Sequence, residues 1–145
     1  MQLERADRER LSRITDFLHE ELEDFKREFL EVNYKSYKDN RDIRRNMERC
    51  IENIVNASLD GAKIILVNKG IEIPDTYREY FLSLVSKDII DESNASVLAK
   101  GVGLRNVLAH QYLDIRWQRI EGFIKADWNI YEVFLAAMKS YLIER

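Results

Sequence analysis

Four polar side chains that could act on a phosphate lie within residues 103–112. They are an arginine, an asparagine, a histidine and a tyrosine: Arg105, Asn106, His110 and Tyr112. The guanidinium of arginine keeps its charge at every physiological pH, and the imidazole of histidine titrates near neutrality. A permanent cation and a proton carrier are the two groups needed to cut a phosphodiester without a metal ion, so the segment predicts phosphoryl chemistry.

Three of these side chains have a definite role in such a reaction. Arg105 would hold a phosphate and stabilise the charge that develops on it, in a forked geometry that lysine cannot copy. His110 would act as general base or acid on a ribose 2′-hydroxyl or on the leaving 5′-oxygen, and Asn106 would fix the histidine tautomer or a phosphate oxygen. No carboxylate pair, His/Cys/Asp cluster or glycine-rich phosphate loop accompanies them. We therefore expect no metal and no cofactor.

The spacing of these residues bears on how they could meet. Asn106 and His110 are four apart and are neighbours on a helix, whereas Arg105 and His110 are about 140° apart around an ideal helix. One alternative is that the last helical turn unwinds around residues 109–111. The other, which we favour, is that two copies of the helix cross at a two-fold axis, which predicts a homodimer with a composite site. A purely structural role at a helix end, where protonated histidine is favourable, also stays open.

Two glycines precede these residues within the same predicted helix. Gly101 and Gly103 should each cost about 1 kcal/mol relative to alanine in a helix interior. Such a cost indicates that the backbone approaches another helix or a ligand closely. The apolar stripe through Leu98 and Val102 also continues into Arg105, and a guanidinium on that face must be paired or face a cleft.

Composition predicts the fold that must position the site. The 145 residues are 46% hydrophobic and 34% charged, with only 1 proline and 5 glycines. This balance favours long amphipathic helices, and the length fits one helical domain spanning residues 1–145. We predict an all-α bundle of about five helices. The predicted helical ranges are 3–31, 42–68, 76–90, 95–110 and a region from 116 with a possible break near 126. The first two ranges carry stripes at three-and-four spacing, through Leu11, Ile14, Leu18, Leu22, Phe25 and Phe29 and through Met47, Ile51, Ile54, Ser58, Ala62 and Ile65.

Local signals predict where these helices begin and end. Residues 33–40 read as a short polar link, and Gly70 is placed to end the second helix. The pair Thr76 and Glu79 has the spacing of a capping box, and Ser93 is a candidate N-cap for the helix that carries the motif.

Charge and cysteine content restrict the class of protein. The net charge of −3 argues against indiscriminate DNA binding. Residues 17–31 are mostly acidic and residues 35–49 mostly basic, so the second stretch either receives an anion or forms a solvated helix face. We predict that the single cysteine, Cys50, is a small core residue. A chain with one cysteine has no disulfide framework, which suits the reducing cytoplasm. No apolar run is long enough to span a membrane.

Residues 105–112, Arg-Asn-Val-Leu-Ala-His-Gln-Tyr, resemble the Arg-x4-His-x-Tyr signature of the HepT-like branch of the HEPN superfamily. Similarity extends over residues 42–115, through Gly70, the segment 74–79 and the run 84–90. The chain departs from the family where members often carry another acidic residue, because Arg116 and Trp117 follow the motif here.

The resemblance implies an antiparallel helical bundle that dimerises with its motifs facing each other. It also implies a metal-independent ribonuclease, an RNA endonuclease that often serves as the toxin of a toxin–antitoxin pair. The partner would be a minimal nucleotidyltransferase antitoxin that transfers AMP to the motif tyrosine. Carried over by position, Arg105 and His110 become the catalytic pair, Asn106 a supporting residue and Tyr112 the AMP acceptor. A plain interface role for Tyr112 is the alternative.

Two other interpretations of the chain remain at this point. In one, it is a non-catalytic helical module that binds a nucleotide or docks onto a nucleotidyltransferase, with the basic stretch 35–49 in contact with the partner. In the other, it is a structural bundle in which the Arg–Asn–His set is accidental. The RNA target and its sequence preference do not follow from the residues.

Overall fold

The computed structural model describes residues 2–110 and 112–144, and the side chains of His110 and Glu144 fall outside that description. Every regular element of this part of the chain is a helix, which confirms the all-α prediction. Its elements are α1 Arg5–Glu28, α2 Tyr34–Asp39, α3 Arg41–Asn68, α4 Tyr77–Ser83, a 3-10 turn Val85–Lys87, α5 Glu92–His110, α6 Leu113–Gly122, a π-helical turn Phe123–Asp127 and α7 Trp128–Glu144. Because α6, the π-helical turn and α7 are continuous, we count them as one helix. On that count the described residues form six helices, compared with about five predicted.

The longest helices run antiparallel to one another. The start of the chain meets the end of α3, where the Asn68 side chain donates to the Gln2 carbonyl at 3.3 Å. Towards the other end of α1, the Cys50 thiol of α3 donates to the Glu21 carbonyl, also at 3.3 Å. The paired positions thus move in opposite directions along the two helices.

α7 lies against the same first helix, also in the opposite direction. Arg8 near the start of α1 donates to the carbonyl of Leu142 near the end of α7, at 2.6 Å. Lys26 near the end of α1 pairs with Glu132 near the start of α7, also at 2.6 Å. α1 therefore bridges α3 and α7.

The apolar stripe predicted for the second long helix forms the middle of the core. Its members are all buried in α3: Met47, Ile51, Ile54, Ser58, Ala62 and Ile65. The Ser58 hydroxyl is satisfied by donating to the Ile54 carbonyl at 2.8 Å. Cys50 lies beside them, and burial raises the pKa of its thiol to about 12. The thiol is therefore protonated at neutral pH, as a small core residue would be.

Gly70 ends α3 as predicted. Its φ of +73° lies in the left-handed region, and the amides of Gly70 and Ile71 donate to the carbonyls of Val67 and Leu66 at 3.1 and 3.0 Å. This is the Schellman arrangement, which satisfies two carbonyls at the helix end.

The segment 33–40 is not the irregular link that its polarity predicted. The Asn33 side chain accepts from the Ser36 amide at 2.9 Å, and the Ser36 hydroxyl accepts from the Asn33 amide at 3.2 Å. This reciprocal cap starts the short helix α2, whose Tyr37 is fully buried. The prediction failed because polar residues were interpreted as a loop when two of them form a capping box.

Two boundaries around the motif helix also differ from prediction. α4 ends at Ser83 rather than near residue 90, and Asp88, at φ +57°, terminates the following 3-10 turn. α5 is capped by Asp91, whose carboxylate accepts from the Asn94 amide at 2.7 Å, so the predicted cap at Ser93 is wrong. A carboxylate at this position also interacts favourably with the helix dipole.

The N-terminus of α4 and the course of the last helical region also differ from the prediction. Thr76 is the N-cap residue of α4, but its side chain makes no capping hydrogen bond, so the predicted capping box does not form. The possible break near residue 126 is a π-helical turn over Phe123–Asp127 that continues directly into α7. The last helical region begins at Leu113, three residues earlier than predicted.

Gly101 allows the motif helix to touch α7. The phenol of Tyr131 is fully buried and donates to the Leu98 carbonyl at 2.9 Å. A β-carbon added at Gly101 would lie 1.9 Å from that phenol oxygen. The glycine was predicted to mark a close approach of the backbone to another helix, and this contact confirms it.

Replacing Gly101 with alanine should therefore destabilise the protein despite the better helix propensity of alanine. Overpacking against a buried ring costs about 1–3 kcal/mol, so we expect the free energy of unfolding to fall by about 2 kcal/mol. Gly122 is the matched control, because a β-carbon there meets nothing within 4 Å. Gly122→Ala should raise the free energy of unfolding by about 1 kcal/mol. Urea titrations of both variants measure the difference, and equal effects would contradict the packing argument.

Candidate active site

Arg105 is held on two sides by other helices. Its guanidinium donates to the side-chain oxygen of Asn56 on α3 at 2.7 Å. The same group lies 5.1 Å from the ring centre of Tyr77, at the start of α4. A cation over an aromatic face is attracted by the ring's negative face. The expectation that this guanidinium is paired or faces a cleft is confirmed, because it does both.

The cleft is an open groove of about 480 Å³ between α4 and α5, which we call the α4–α5 groove. Its lining combines cations with neutral polar and apolar side chains and one carboxylate: Asp75, Thr76, Tyr77, Arg78, Val102, Arg105 and Asn106. A groove of this composition offers two arginines to an anionic ligand. Such a pair suits a phosphate, which accepts several hydrogen bonds at once.

Gly103 brings the second arginine against the motif helix. A β-carbon at Gly103 would lie 2.6 Å from the terminal nitrogen of Arg78. The absence of a side chain there lets the guanidinium of Arg78 lie directly over the backbone of α5. This contact confirms the predicted close approach at the second glycine, and it places Arg78 in the same groove as Arg105.

The other motif residues are located only in part. Asn106 is exposed in the α4–α5 groove. The backbone of His110 continues the α-helix, so the turn does not unwind before this residue, and Gln111 falls outside the described residues. The side chain of His110 is likewise outside the description. Its predicted meeting with Arg105 therefore stays a prediction.

Tyr112 projects into solvent directly after the motif helix. Its side chain is 82% exposed. The residue is the N-cap of α6, where its carbonyl accepts from the Arg116 amide at 3.0 Å. An exposed phenol at this position is accessible to a modifying enzyme, whereas the core tyrosines Tyr37 and Tyr131 are fully buried.

A partly buried ion pair lies next to Tyr112, at the start of α6. Arg116 donates to the carbonyl of Leu108 near the end of α5 at 3.2 Å and lies 3.4 Å from the carboxylate of Glu48 on α3. Glu48 also accepts from the hydroxyl of Tyr37, and burial followed by this contact raises the pKa of that phenol well above its usual range. Arg116, a departure from the family pattern, thus joins α5, α6 and α3. We call this the Arg116 anchor.

Sequence reasoning missed three residues of the site. Tyr77 received no role in the site, because the sequence does not distinguish it from its neighbours Tyr80 and Phe81. It is 51% exposed, whereas the other two are buried. Arg78 and Asn56 received no role. Gly103 was the available signal for Arg78, since it indicated a close contact without naming the partner.

The basic stretch 35–49 is mostly a solvated helix surface. Lys35 pairs with Asp39 at 2.8 Å, and Arg44 donates to the carbonyl of Lys38 at 3.0 Å. These local pairs fit the solvated-face interpretation. The contact of this stretch with an anion or a partner stays a prediction.

Among the described side chains, no three His, Cys, Asp or Glu residues are grouped closely enough to ligate one metal ion. No described helix combines the length and the apolar character needed to cross a bilayer.

Solved structures share this fold. A tri-AMPylated HEPN toxin of Shewanella oneidensis, solved in complex with an MNT antitoxin, aligns with a TM-score of 0.78 at 18% identity over 90% of this chain and 96% of the other. The YutE protein of Bacillus subtilis, described as a cytosolic protein of unknown function, aligns with a TM-score of 0.76 at 17% identity over 95% of this chain and 92% of the other. The architecture is therefore that of the HEPN-like all-α class.

The family follows from the sequence comparison. The model described as ribonuclease HepT-like matches residues 10–138, so the chain belongs to the ribonuclease HepT-like family. A relative named mRNA nuclease HepT, from Shewanella oneidensis, is 27% identical over 95 residues, which are 66% of this chain and 68% of the relative. Membership confirms the predicted resemblance and the predicted enzyme class, a ribonuclease.

Proposed function

We propose that this chain is the toxin of a toxin–antitoxin pair and cleaves RNA without a metal at a site built by two copies of itself. The observation that carries the proposal is the setting of Arg105, which is fixed by Asn56 and Tyr77 at the edge of a groove that also holds Arg78 and Asn106. We take residues 1–145 as one domain working in the cytoplasm, where RNA is available.

The proposed reaction is an internal transfer at the phosphate. The ribose 2′-oxygen bonds to phosphorus while the bond from phosphorus to the 5′-oxygen breaks, leaving a 2′,3′-cyclic phosphate and a free 5′-hydroxyl. At each active position one His110 takes the proton from the 2′-hydroxyl, and the imidazolium that forms gives a proton to the departing 5′-oxygen. Arg105 stabilises the charge on the phosphate oxygens, and its fixed position means that little reorganisation is needed.

The geometry of α5 supports a composite site. The helix is regular through His110, which leaves positions 105 and 110 about 140° apart on one copy. A second copy related by a two-fold axis places its own pair on the other side of the same cleft. Each active position then receives an arginine from one protomer and a histidine from the other.

The proposed partner is a minimal nucleotidyltransferase antitoxin that modifies Tyr112. The phenol oxygen bonds to the α-phosphorus of ATP, pyrophosphate leaves and the phenolic proton is released. The exposure of Tyr112 supports this role. An added phosphate beside the cleft opposes RNA through like charge and bulk.

Mixing two inactive variants tests the composite site. Arg105→Ala and His110→Ala chains should each fail to cleave labelled RNA, yet their mixture should recover activity, because a heterodimer contains one position with both groups intact. With random exchange of protomers, half the dimers are mixed and half their positions are intact, so we expect about one quarter of the wild-type rate. Cleavage in the presence of EDTA is the measurement.

The control for exchange is wild type mixed with the double variant Arg105→Ala/His110→Ala. If the arginine and the histidine of one position come from different protomers, the mixed dimer contains no intact position. Light scattering reports the oligomeric state in parallel. A monomeric protein, or an inactive mixture after demonstrated exchange, would contradict the proposed arrangement.

A further inference from the structure

A second groove is lined by Asn56, the hydrogen-bond partner of Arg105. It runs between α1 and α3 with a volume of about 460 Å³, and we call it the α1–α3 groove. Its lining is Arg10, Arg13, Ile14, Phe17, Asn53, Asn56, Ala57 and Asp60. The proposed cleavage chemistry uses none of these residues as a reacting group.

Asn56 joins the two grooves. Its side-chain oxygen accepts from Arg105, which lines the α4–α5 groove, while Asn56 itself lines the α1–α3 groove. The Arg105–Asn56 hydrogen bond therefore links a residue of one groove to a residue of the other. A linear anion that contacts Arg105 and extends past Asn56 would enter the α1–α3 groove.

The charges of the α1–α3 groove suit a polyanion. Arg10 and Arg13 line it against one carboxylate, Asp60. Arg10 shares its charge with Asp7 at a long 3.5 Å, and within the described residues Arg13 is in no ion pair. Arginine without a carboxylate partner is available to a phosphate, which it binds through a fork of N–H donors.

Phe17 adds an aromatic surface next to these cations. Its ring is 44% exposed, although the next residue on α1, Leu18, is fully buried in the core. An exposed ring beside arginines is the combination by which proteins bind single-stranded nucleic acid, with bases on the ring and phosphates on the cations. Asn53 and Asp60 add polar atoms suited to the edge of a base.

We propose that the α1–α3 groove binds the single-stranded RNA that flanks the cleaved bond, with Arg13 and Arg10 on its phosphates and Phe17 stacked against a base. The inference rests on the proposed ribonuclease function and names a substrate subsite for it. The subsite would hold the strand in register, while Arg105 and His110 act on the bond itself.

Binding and cleavage are measured separately, so that the two proposals can fail independently. Binding is measured with the full chain carrying His110→Ala and a fluorescent single-stranded RNA of about 12 nucleotides, a length in the range that such sites occupy. Arg13→Gln in that background should raise Kd about 10-fold and reduce the slope of log Kd against log salt by about 0.7, the value for one phosphate contact on a single strand. Arg5→Gln, an exposed arginine of the same helix outside the groove, should change neither.

Two substitutions of Phe17 separate stacking from simple apolar burial. Phe17→Leu keeps an apolar side chain but removes the ring, and it should weaken RNA binding about 10-fold, since stacking of one base is worth that much. Phe17→Tyr keeps the ring and should bind within about twofold of the parent. Thermal melts report whether each variant stays folded.

The outcomes are distinct. If Arg13→Gln and Phe17→Leu bind RNA like the parent while the wild-type chain cleaves RNA, the subsite is refuted and the ribonuclease proposal stands. If the variants weaken binding but the wild type cleaves nothing, the subsite stands and the catalytic proposal fails. If Phe17→Leu instead converts a dimer into monomers in light scattering, the groove is a protein interface and the subsite is refuted.

Discussion

His110→Ala should reduce RNA cleavage by about 10²- to 10⁴-fold, the usual contribution of a positioned general acid or base. Without the imidazole, neither the 2′-hydroxyl proton nor the proton for the 5′-oxygen has a carrier at neutral pH. The chain contains 2 histidines, and the other, His19, is exposed on α1 among acidic residues. His19→Ala is therefore the matched control and should cleave at the wild-type rate.

Substitutions of Arg105 should reduce RNA cleavage by a comparable factor, and the loss should depend on the shape of the new side chain as well as on its charge. Arg105→Ala removes the fixed charge that stabilises the phosphate, an effect of about 10²- to 10³-fold for one preorganised donor. Arg105→Lys keeps the charge but loses the fork and the planar contact with Tyr77, so it should remain strongly impaired. Full activity of the lysine variant would indicate a general electrostatic role instead.

All of these reactions are followed on labelled RNA with EDTA present. Equal cleavage by wild type and His110→Ala, or none by either, would remove the enzyme proposal for the substrates tried. Growth arrest on expression of the wild type, relieved by Arg105→Ala, tests the toxin role in cells. The magnitude of both losses makes them measurable above background hydrolysis.

Tyr112→Phe should separate toxicity from neutralisation. The variant lacks the oxygen that accepts AMP but keeps the ring, and the phenol is so exposed that the fold loses nothing with it. We therefore expect RNA cleavage and toxicity to persist. Co-expression with the nucleotidyltransferase partner should rescue wild-type cells and fail to rescue cells that carry the variant.

Mass spectrometry after co-expression reads the same event directly. Wild type should carry one or more added AMP units, and Tyr112→Phe should carry none. Tyr34→Phe is the control, because Tyr34 is also partly exposed but lies on α2, outside residues 105–112, and packs against Trp117. Growth of Tyr112→Phe cells restored by the partner would show that neutralisation works through docking alone.

The regular patterns of the chain predicted most of the fold. The three-and-four spacing in α1 and α3 identified the faces that are buried, and Gly70 located the end of α3 correctly. Local reasoning failed where a short polar segment had two possible structures. Asn33 and Ser36 could serve a loop or a reciprocal cap, and the burial of Tyr37 against α3 selects the helix.

Some residues of the candidate site could likewise be predicted from the sequence, and others could not. The motif residues follow from their types and spacing, and the glycines indicated where the backbone of α5 is approached. The partners of Arg105 did not follow, because Asn56 is 49 residues away in sequence and only the packing of α3 against α5 brings it near. Tyr77 looked like its buried neighbours, since sequence alone does not say which side of a short helix faces solvent.

The Arg116 anchor has a consequence for the fate of the modified protein. Because Arg116 at the start of α6 contacts Leu108 of α5 and Glu48 of α3, the exposed phenol of Tyr112 extends outward from residues that are tied to the core. Nucleotides attached there would add mass to the outside of the molecule and leave its packing unchanged. A modified chain would then stay folded, as an intact reserve of inactive protein.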